Sequence, residues 1–349
     1  MSRVLIIATS RKTRGGITSV VKAHETGPQW ERYHCRWIET HRDDSAIIKL
    51  WYLFTAIIET LVIMPFYDIV HIHFSEPKSA MRKTLFFRMA KIYRKKTIVH
   101  FHSFSTETTI NSIYRPRYEY IFTSADRVVV LSEYWQKAIC KEFGLKEEKV
   151  KILYNPCPTI PLQETREKKA NNILYAGTVT ARKGYTDMIK AFAKIAHNHK
   201  DWKIVFAGNG EVEQGKKLSA ELGISNQTIF LGWVSGEEKD KAFHNASILC
   251  LPSYAEGFPM AVLDAWAYGL PVITTPVGGI PDVAKDGENM LLFNPGDIDK
   301  LAEQMEKMID DTNFRHHISE ASVNFAKFKF NINTINEQLG QLYQDVCNE

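Results

Sequence analysis

The sequence has 349 residues, enough for two domains that each bury a core. Hydrophobic residues make up 44% and charged residues 24%, which excludes a disordered chain, a collagen-like chain and a small disulfide scaffold. The five cysteines lie far apart and form no CxxC pair, so we expect reduced thiols in a cytosolic protein. No signal peptide precedes the first apolar run at residues 4–8, so we expect structure from the start of the chain.

The charge is unevenly distributed along the chain. Residues 1–150 carry 24 Lys and Arg against 15 Asp and Glu, whereas residues 151–349 carry 20 against 25. A basic first half predicts an anionic partner, and phosphorylated small molecules, nucleic acid and a membrane surface all fit that charge. The basic residues are not interleaved with aromatic ones in a nucleic-acid pattern and no reader motif is present, so we expect no nucleic-acid binding.

Short apolar runs alternate with helix-like stretches in both halves. In the first half the runs are residues 4–8, 68–74, 97–102, 127–132 and 150–154. In the second half they are residues 172–177, 203–208, 228–232, 247–252, 271–275 and 290–293. Helical periodicity marks residues 186–197 and 299–309. Continuous hydrophobicity is typical of strands buried on both faces, and its alternation with helices predicts an α/β fold of two doubly wound parallel sheets.

A linker signature separates the two halves. Prolines fall at positions 156, 158 and 161, and a polar, charged stretch follows at residues 163–172. Each half opens with an apolar strand, a basic glycine-containing loop (residues 10–16 and 178–184) and a helix. We therefore expect a ligand between the halves, at the C-terminal ends of both sheets.

The segment EGFPMAVLD, residues 256–264, predicts an anion site. Pro259 favours a helix start, so the backbone N–H groups of Met260, Ala261 and Val262 would point at an anion with the helix dipole behind them. Glu256 precedes this helix and Asp264 follows about one turn later, so the two acids could hold different parts of one extended ligand. The alternative is that Glu256 is a solvated turn residue and Asp264 a surface charge.

Two further patterns leave a metal site open. His71 and His73 form one H-x-H pair and His100 and His102 another, so a metal pair is possible. Strand residues i and i+2 share a face whether or not a ligand is present, however, which favours packing or contact with a ligand over a metal. Asp297 and Asp299 form a DxD, a pattern that can hold a metal-bound diphosphate. The DxD here opens an amphipathic run, so we expect a helix N-terminus.

Residues 46–66 form an almost unbroken apolar run. Lys49, Glu59 and Pro65 argue against a membrane-spanning helix. A buried core helix is one interpretation, and a helix lying in a membrane interface is the other. The basic residues that anionic headgroups would attract are Arg82, Lys83, Lys91, Arg94, Lys95 and Lys96; the alternative for these is a solvated helix face.

Several motifs occur together in a recognisable order. They are Gly15-Gly16, His102 after a strand, Arg182-Lys183-Gly184, AGNGE at 207–211, LGWVS at 231–235, the acid pair Glu256 and Asp264, and GGIPD at 278–282. This set resembles the retaining GT-B glycosyltransferases of family 4, the glycosyl transferases group 1, over roughly residues 4–345. The resemblance implies two Rossmann-like domains facing a central cleft. Residues 1–160 would bind the acceptor, residues 161–329 the nucleotide sugar, and a helix at about 330–349 would return to the first domain.

The resemblance also implies a role for each matched position. Glu256 would bind the donor sugar, Lys183 would neutralise the departing diphosphate with help from Arg182, and His102 would face the sugar. Thr178 stands where the family often has an arginine, and Asp264, which would bind the ribose, stands where it usually has glutamate. The remaining donor-binding positions are Gly15, Gly16, Gly208, Gly232, Trp233, Val234, Gly257, Phe258, Met260 and Ala261. The family uses no metal or other cofactor.

The expected function is retaining transfer of a hexose-type sugar, most consistent with a UDP-sugar donor, to a glycan or lipid-linked acceptor in surface polysaccharide biosynthesis. We expect a cytoplasmic protein, peripheral at the inner face of the cell membrane, that contacts an anionic lipid surface. Two alternatives remain at this level: an epimerase-like enzyme of the same fold, and a non-catalytic protein that binds sugar nucleotides. The intact pair of Glu256 and Lys183 speaks against the second alternative.

Overall fold

The structure, a computed structural model, describes residues 2–160 and 170–349. The chain divides into two compact units: unit 1 is Met1–Pro156 with Ile332–Glu349, and unit 2 is Cys157–Asn331. The sequence placed these divisions at 160/161 and 329/330. Most of the predicted polar linker, residues 163–172, lies outside the described residues.

Unit 1 is built on a parallel sheet of six strands in the order β2-β1-β3-β4-β5-β6. The strands are β1 (Val4–Ala8), β2 (Arg36–Glu39), β3 (Ile69–Phe74), β4 (Lys96–Phe101), β5 (Arg127–Val130) and β6 (Val150–Ile152). All residues of β1 and β3 are buried, as continuous apolar runs predict. The sequence analysis missed β2, because its only apolar residues are Trp37 and Ile38, between two charged residues.

Seven helices cover this sheet within the described residues. They are α1 (Gly16–Glu25), α2 (Pro28–Arg32), α3 (Ala46–Ile63), α4 (Pro77–Ile92), α5 (Arg115–Ser124), α6 (Glu133–Phe143) and, numbered by its place in the chain, α13 (Ile332–Asn348). The last helix packs against α1, α2 and β3. Its side chains are hydrogen-bonded to β3 and α1: the Tyr343 hydroxyl lies 2.8 Å from His71 Nδ1, and Asn336 Oδ1 lies 2.9 Å from His24 Nδ1. The end of the chain is therefore part of the core of unit 1.

Unit 2 repeats the architecture with a parallel sheet in the order β12-β11-β10-β7-β8-β9. Its strands are β7 (Asn172–Ala176), β8 (Lys203–Ala207), β9 (Thr228–Gly232), β10 (Ile248–Leu251), β11 (Val272–Thr274) and β12 (Leu291–Leu292). Its helices are α7 (Tyr185–Ile195), α8 (Val212–Glu221), α9 (Glu237–His244), α10 (Met260–Ala267), α11 (Ile298–Asp310) and α12 (Thr312–Lys327). The predicted α/β class with two doubly wound parallel sheets is confirmed.

The core-helix interpretation of residues 46–66 is wrong. The segment forms α3, but of its side chains only Ala56 and Thr60 are fully buried. By length and composition this helix could cross a membrane, with a mean hydropathy of 1.9 and 17% of its most apolar window buried. Its inner face packs on the sheet of unit 1, while its outer face is apolar and exposed.

Candidate active site

The acid signature and the basic loop of unit 2 meet at the C-terminal edge of its sheet. Glu256 lies in the loop between β10 and α10, and Lys183 lies in the short turn between β7 and α7. Strands β7 and β10 are hydrogen-bonded neighbours, so two loops that are 73 residues apart in sequence leave the sheet side by side. This is the edge where ligands bind in doubly wound sheets.

Glu256 is held by three neighbouring residues. Its side chain is 8% exposed, and Oε1 accepts hydrogen bonds from the Lys183 ammonium and from Ser253 Oγ, the latter at 2.7 Å. The Arg182 guanidinium lies 4.0 Å from the same oxygen and donates to the carbonyl of Ala255 at 2.5 Å. A buried carboxylate with charged and neutral donors keeps one orientation. The solvated-turn alternative for Glu256 is therefore wrong.

Two glycines allow the loops to approach this closely. Gly184 has φ +70°, and a Cβ there would lie 1.9 Å from the carbonyl oxygen of Pro252. Gly278 has φ +62°, and a Cβ there would lie 2.3 Å from the carbonyl oxygen of Glu256. A side chain at Gly184 would push the Lys183 loop away from the strand end before Glu256, and one at Gly278 would push the loop after β11 away from the Glu256 loop.

The second acid of the signature is also paired. Asp264 on α10 is 9% exposed, and its Oδ1 accepts a hydrogen bond from Lys239 Nζ at 2.7 Å. Burial raises the pKa of this carboxyl, and the nearby Lys239 ammonium opposes that rise. The surface-charge alternative for Asp264 is wrong, because this carboxylate is buried and paired with a lysine.

The start of α10 differs in detail from the expectation. Pro259 is the N-cap residue, and the N–H of Val262 donates to the Pro259 carbonyl at 3.1 Å, so Val262 cannot offer its N–H to an anion. The N–H groups of Met260 and Ala261 lie in the first turn, where a helix provides no carbonyl partner, so these two groups can point at an anion. Phe258 is 4% exposed and its ring packs on Trp266 and Phe330, so only its backbone can contact a donor.

The predicted nucleotide-binding positions lie at two other strand ends of unit 2. Gly208 follows β8 and Gly232 ends β9, and an isolated backbone bridge joins the two. Trp233 follows directly and is 39% exposed. Val234 follows this tryptophan in the same loop.

The remaining predicted residues belong to unit 1. Gly15, with φ +134°, is the N-cap of α1, and Gly16 is the first residue of that helix. His102 follows β4 and is partly buried; its Nε2 lies 3.0 Å from His73 Nδ1. Burial lowers the pKa of His102 to about 3, so this imidazole is neutral and can exchange hydrogen bonds with a sugar.

His102 packs against a group of four fully buried imidazoles, and the five residues together are called here the histidine cluster. It consists of His24, His71, His73, His100 and His102. Burial lowers the pKa of every member. Ligand atoms of His71, His73 and His100 lie within 4.8 Å of one another, so the metal alternative for the two H-x-H pairs is geometrically open.

The DxD interpretation of Asp297 and Asp299 is not supported. Asp297 is the N-cap of α11, where its Oδ1 accepts from the N–H of Lys300 at 2.9 Å, and Asp299 pairs with Lys194. The predicted helix N-terminus is confirmed. A surface cavity of about 630 Å³ opens beside this helix start, and none of the predicted donor-binding residues lines it.

Sequence reasoning missed two partners of the acids. Ser253 is buried and donates to Glu256, and Lys239 pairs with Asp264 from α9, which is 25 residues away in the chain. Ser253 directly follows the apolar run at residues 247–252 and stands three residues before the acid, a spacing that could have indicated a turn contact. Nothing in the local pattern around Lys239 separates it from the neighbouring charged residues of α9.

Comparison with known proteins identifies the family of the chain. The sequence profile described as Glycosyl transferases group 1 matches residues 158–325, and the profile described as Glycosyltransferase Family 4 matches residues 46–159. The chain belongs to this family. It is therefore a group 1, family 4 glycosyltransferase, and the resemblance inferred from the ordered motifs is confirmed.

Individual relatives match the glycosyltransferase over different lengths. An uncharacterized glycosyltransferase of Methanocaldococcus jannaschii is 30% identical over 60% of the chain and 56% of its own length. An uncharacterized protein from the cps region of Klebsiella pneumoniae is 27% identical over 87% of the chain and 86% of its own. The lipopolysaccharide 1,6-galactosyltransferase of Salmonella typhimurium is 28% identical over 66% of the chain and 65% of its own length. The matched stretch thus spans less than two thirds of the archaeal and Salmonella proteins.

Among solved structures, Anabaena HepE in complex with UDP-glucose superposes with a TM-score of 0.75 at 19% identity. The superposition covers 99% of this glycosyltransferase and 100% of HepE. At that identity the likeness shows the fold, which is GT-B.

Proposed function

We propose that this chain is a retaining hexosyltransferase that moves a sugar from a UDP-sugar to a glycan or lipid-linked acceptor in surface polysaccharide biosynthesis. One observation carries the proposal: the Glu256–Lys183 ion pair at the edge of the unit 2 sheet, inside the stretch that matches the group 1 profile. The Salmonella relative named above is a galactosyltransferase, and HepE was crystallised with UDP-glucose. These names support the donor and the biosynthetic setting.

The carboxylate of Glu256 binds the donor sugar in this proposal. Ser253 and Lys183 both donate to Oε1, which leaves Oε2 as the oxygen for a sugar hydroxyl. Because the acid is buried and already held in place, a sugar that bonds to it loses little further freedom. The buried anion also disfavours a donor that lacks the matching hydroxyl, since that would leave Oε2 without a partner.

Lys183 stabilises the departing diphosphate. An ammonium has three N–H donors, one of which bonds to Glu256, so two are left for phosphate oxygens. Arg182, 4.0 Å from the same carboxylate, adds positive charge, and the first-turn N–H groups of α10 add further donors. Catalysis is then positional and electrostatic: fixed donors meet the charge that develops on the leaving group, with no metal in the step.

The nucleoside lies along the neighbouring strand ends. Asp264 accepts hydrogen bonds from the ribose hydroxyls, and Lys239 holds that carboxylate in the charged form. Gly232, Trp233 and Val234 border the base. The acceptor binds unit 1, which carries Gly15, Gly16 and His102. The protein works in the cytoplasm as a peripheral protein at the inner face of the cell membrane, against an anionic lipid surface.

The test begins with thermal shifts on a panel of UDP-, GDP- and ADP-sugars, followed by a turnover assay on the donor that stabilises the chain. We expect a UDP-sugar to bind and free UDP to be released, with transfer to a lipid-linked glycan that keeps the donor's anomeric configuration by NMR. An epimerase-like enzyme would instead convert the donor sugar without any acceptor. A non-catalytic protein would bind the donor and release no UDP, and either result contradicts the proposal.

A further inference from the structure

The outer face of α3 is a continuous apolar surface. Exposed apolar side chains recur at helical spacing over the whole helix and the turn that follows: Ile47, Leu50, Trp51, Phe54, Ile58 and Leu61, then Val62 and Phe66. Ile47 is 81% exposed and Trp51 is 63% exposed. With side chains of this size the surface amounts to roughly 1,000 Å². The largest patch on a typical soluble monomer is about 300–600 Å², so something covers this face.

The opposite face of α3 holds the helix on unit 1. Ala56 and Thr60 are fully buried, and Leu53 and Ile57 pack against the apolar core of the sheet. Outside the core, Glu59 forms a salt bridge with Arg36 of β2 at 2.6 Å. A pose in which α3 crosses a bilayer would break these contacts. The helix is therefore placed to lie along a surface with one face in protein and the other in its partner.

The neighbouring helix α4 extends the surface and makes it basic. Its exposed positions follow a second helical stripe in which Met81, Leu85 and Ile92 alternate with Lys78 and Arg88. No Asp or Glu occurs in α4. Over residues 46–96 the chain carries nine Lys and Arg against three Asp and Glu. The two helices together combine an apolar strip with a positively charged margin.

Hydrogen bonds tie the C-terminal ends of the two helices together. Tyr93, which follows α4, donates from its hydroxyl to the carbonyl of Leu61 at 3.4 Å, and Lys95 Nζ donates to the carbonyl of Pro65 at 2.9 Å. Lys83, expected among the lipid-facing cations, is instead fully buried and bonded to Thr40. Lys83 is therefore not available to a partner, whereas Lys78 and Arg88 on the outer stripe of α4 and Arg94 beyond its end are exposed.

We propose that the α3–α4 surface inserts into one leaflet of an anionic membrane, with α3 in the plane of the interface and its outer face among the acyl chains. The apolar strip matches the depth of an interfacial helix, Trp51 suits the headgroup boundary, and the basic stripe pairs with anionic lipid. A second copy of this chain fits less well, because it would bring two basic stripes together. This inference rests on the proposed function and specifies which surface of the protein contacts the membrane.

Vesicle flotation of the full chain tests this inference without donor or acceptor, so its outcome is independent of the sugar chemistry. We expect the protein to float with vesicles of phosphatidylglycerol and phosphatidylethanolamine. Replacing Trp51 and Phe54 together by Gln should weaken apparent vesicle affinity at least about tenfold, from the loss of buried apolar area. Wild-type binding should weaken as salt rises. Lys78→Glu with Arg88→Glu should weaken binding most at low salt, and its difference from the wild type should shrink as salt screens the charges. Phe328→Gln removes an exposed aromatic side chain of unit 2 and should change nothing.

Three results would overturn the inference. In the first, the wild-type chain stays at the bottom of the gradient with anionic vesicles at low salt. In the second, the Trp51→Gln/Phe54→Gln variant floats as well as the wild type while circular dichroism shows both folded. In the third, the wild type elutes as a dimer that the same double variant converts to a monomer, with no vesicle binding by either; that result assigns the surface to a second copy. UDP release by the double variant in detergent should equal that of the wild type.

Discussion

Lowering the pH from 7.5 to 5.5 should destabilise unit 1 of this glycosyltransferase strongly, because the five imidazoles of the histidine cluster all lie in that unit. Burial lowers the pKa of His24 to about 4 and that of His102 to about 3. It also holds the pKa values of His71, His73 and His100 well below their usual range. In the unfolded chain each imidazole titrates near pH 6.5.

The direction follows from proton linkage. Above pH 6.5 the imidazoles are neutral in both states and add no pH dependence. Below pH 6.5 the unfolded chain binds protons that the folded cluster cannot, so stability falls until the pH reaches the folded pKa values, about 4 and 3 for two of the five groups. Each group contributes about 1.4 kcal/mol per pH unit, so five groups cost about 7 kcal/mol at pH 5.5. That loss is comparable with the whole stability of a domain, about 5–15 kcal/mol.

Urea titrations at pH 7.5, 6.5 and 5.5 measure this loss. Hydrogen exchange read by mass spectrometry on peptides from β3 and β4 reports unit 1, and peptides from β7 and β8 report unit 2. The variant His100→Leu removes one titrating group whose two ring nitrogens have no hydrogen-bond partner among the described residues. Its unfolding free energy should depend on pH less steeply by about 1.4 kcal/mol per unit. His316→Leu, on the exposed face of α12, is the matched control and should leave the slope unchanged.

The reasoning is refuted if the unfolding midpoint of the β3 and β4 peptides is the same at pH 7.5 and 5.5. It is also refuted if His100→Leu and His316→Leu change the slope equally, since the dependence would then come from histidines in general and not from the buried cluster.

Four variants test the donor site. Lys183→Ala should lower kcat about 10²–10³-fold, because it removes the cation that meets the leaving diphosphate, while EDTA should have little effect; strict dependence on added Mn²⁺ or Mg²⁺ would contradict this. Glu256→Gln should cut turnover sharply yet leave UDP affinity by calorimetry nearly unchanged. Asp264→Ala should weaken UDP binding by about 1–3 kcal/mol, and the opposite pattern in these two variants would reverse the assignment of the acids. Lys239→Ala should raise the pKa of the Asp264 carboxyl further and weaken UDP binding more at pH 5.5 than at pH 7.5, whereas the exposed neighbour Lys241→Ala should do neither.

The strands were readable from the sequence because parallel strands are buried on both faces and therefore appear as unbroken apolar runs. β2 was not predicted, because an edge strand of four residues needs little apolar surface and two of its residues are charged. Glu256 and Lys183 were identified individually from motif order. Their ion pair was not, because it depends on β7 and β10 being neighbours in a sheet whose strand order a local pattern does not carry.

What the sequence by itself determined is the fold class, the family and the residue types at the site. These follow from hydrophobic periodicity and ordered motifs, which are properties of short stretches of chain. Only the tertiary structure decided which partners each side chain meets: Lys239 for Asp264, an aromatic cluster for Phe258, and Lys194 for Asp299. It also decided that α3 turns an apolar face outward. The same apolar composition suits a core and a membrane interface, and burial depends on what the rest of the chain packs against it.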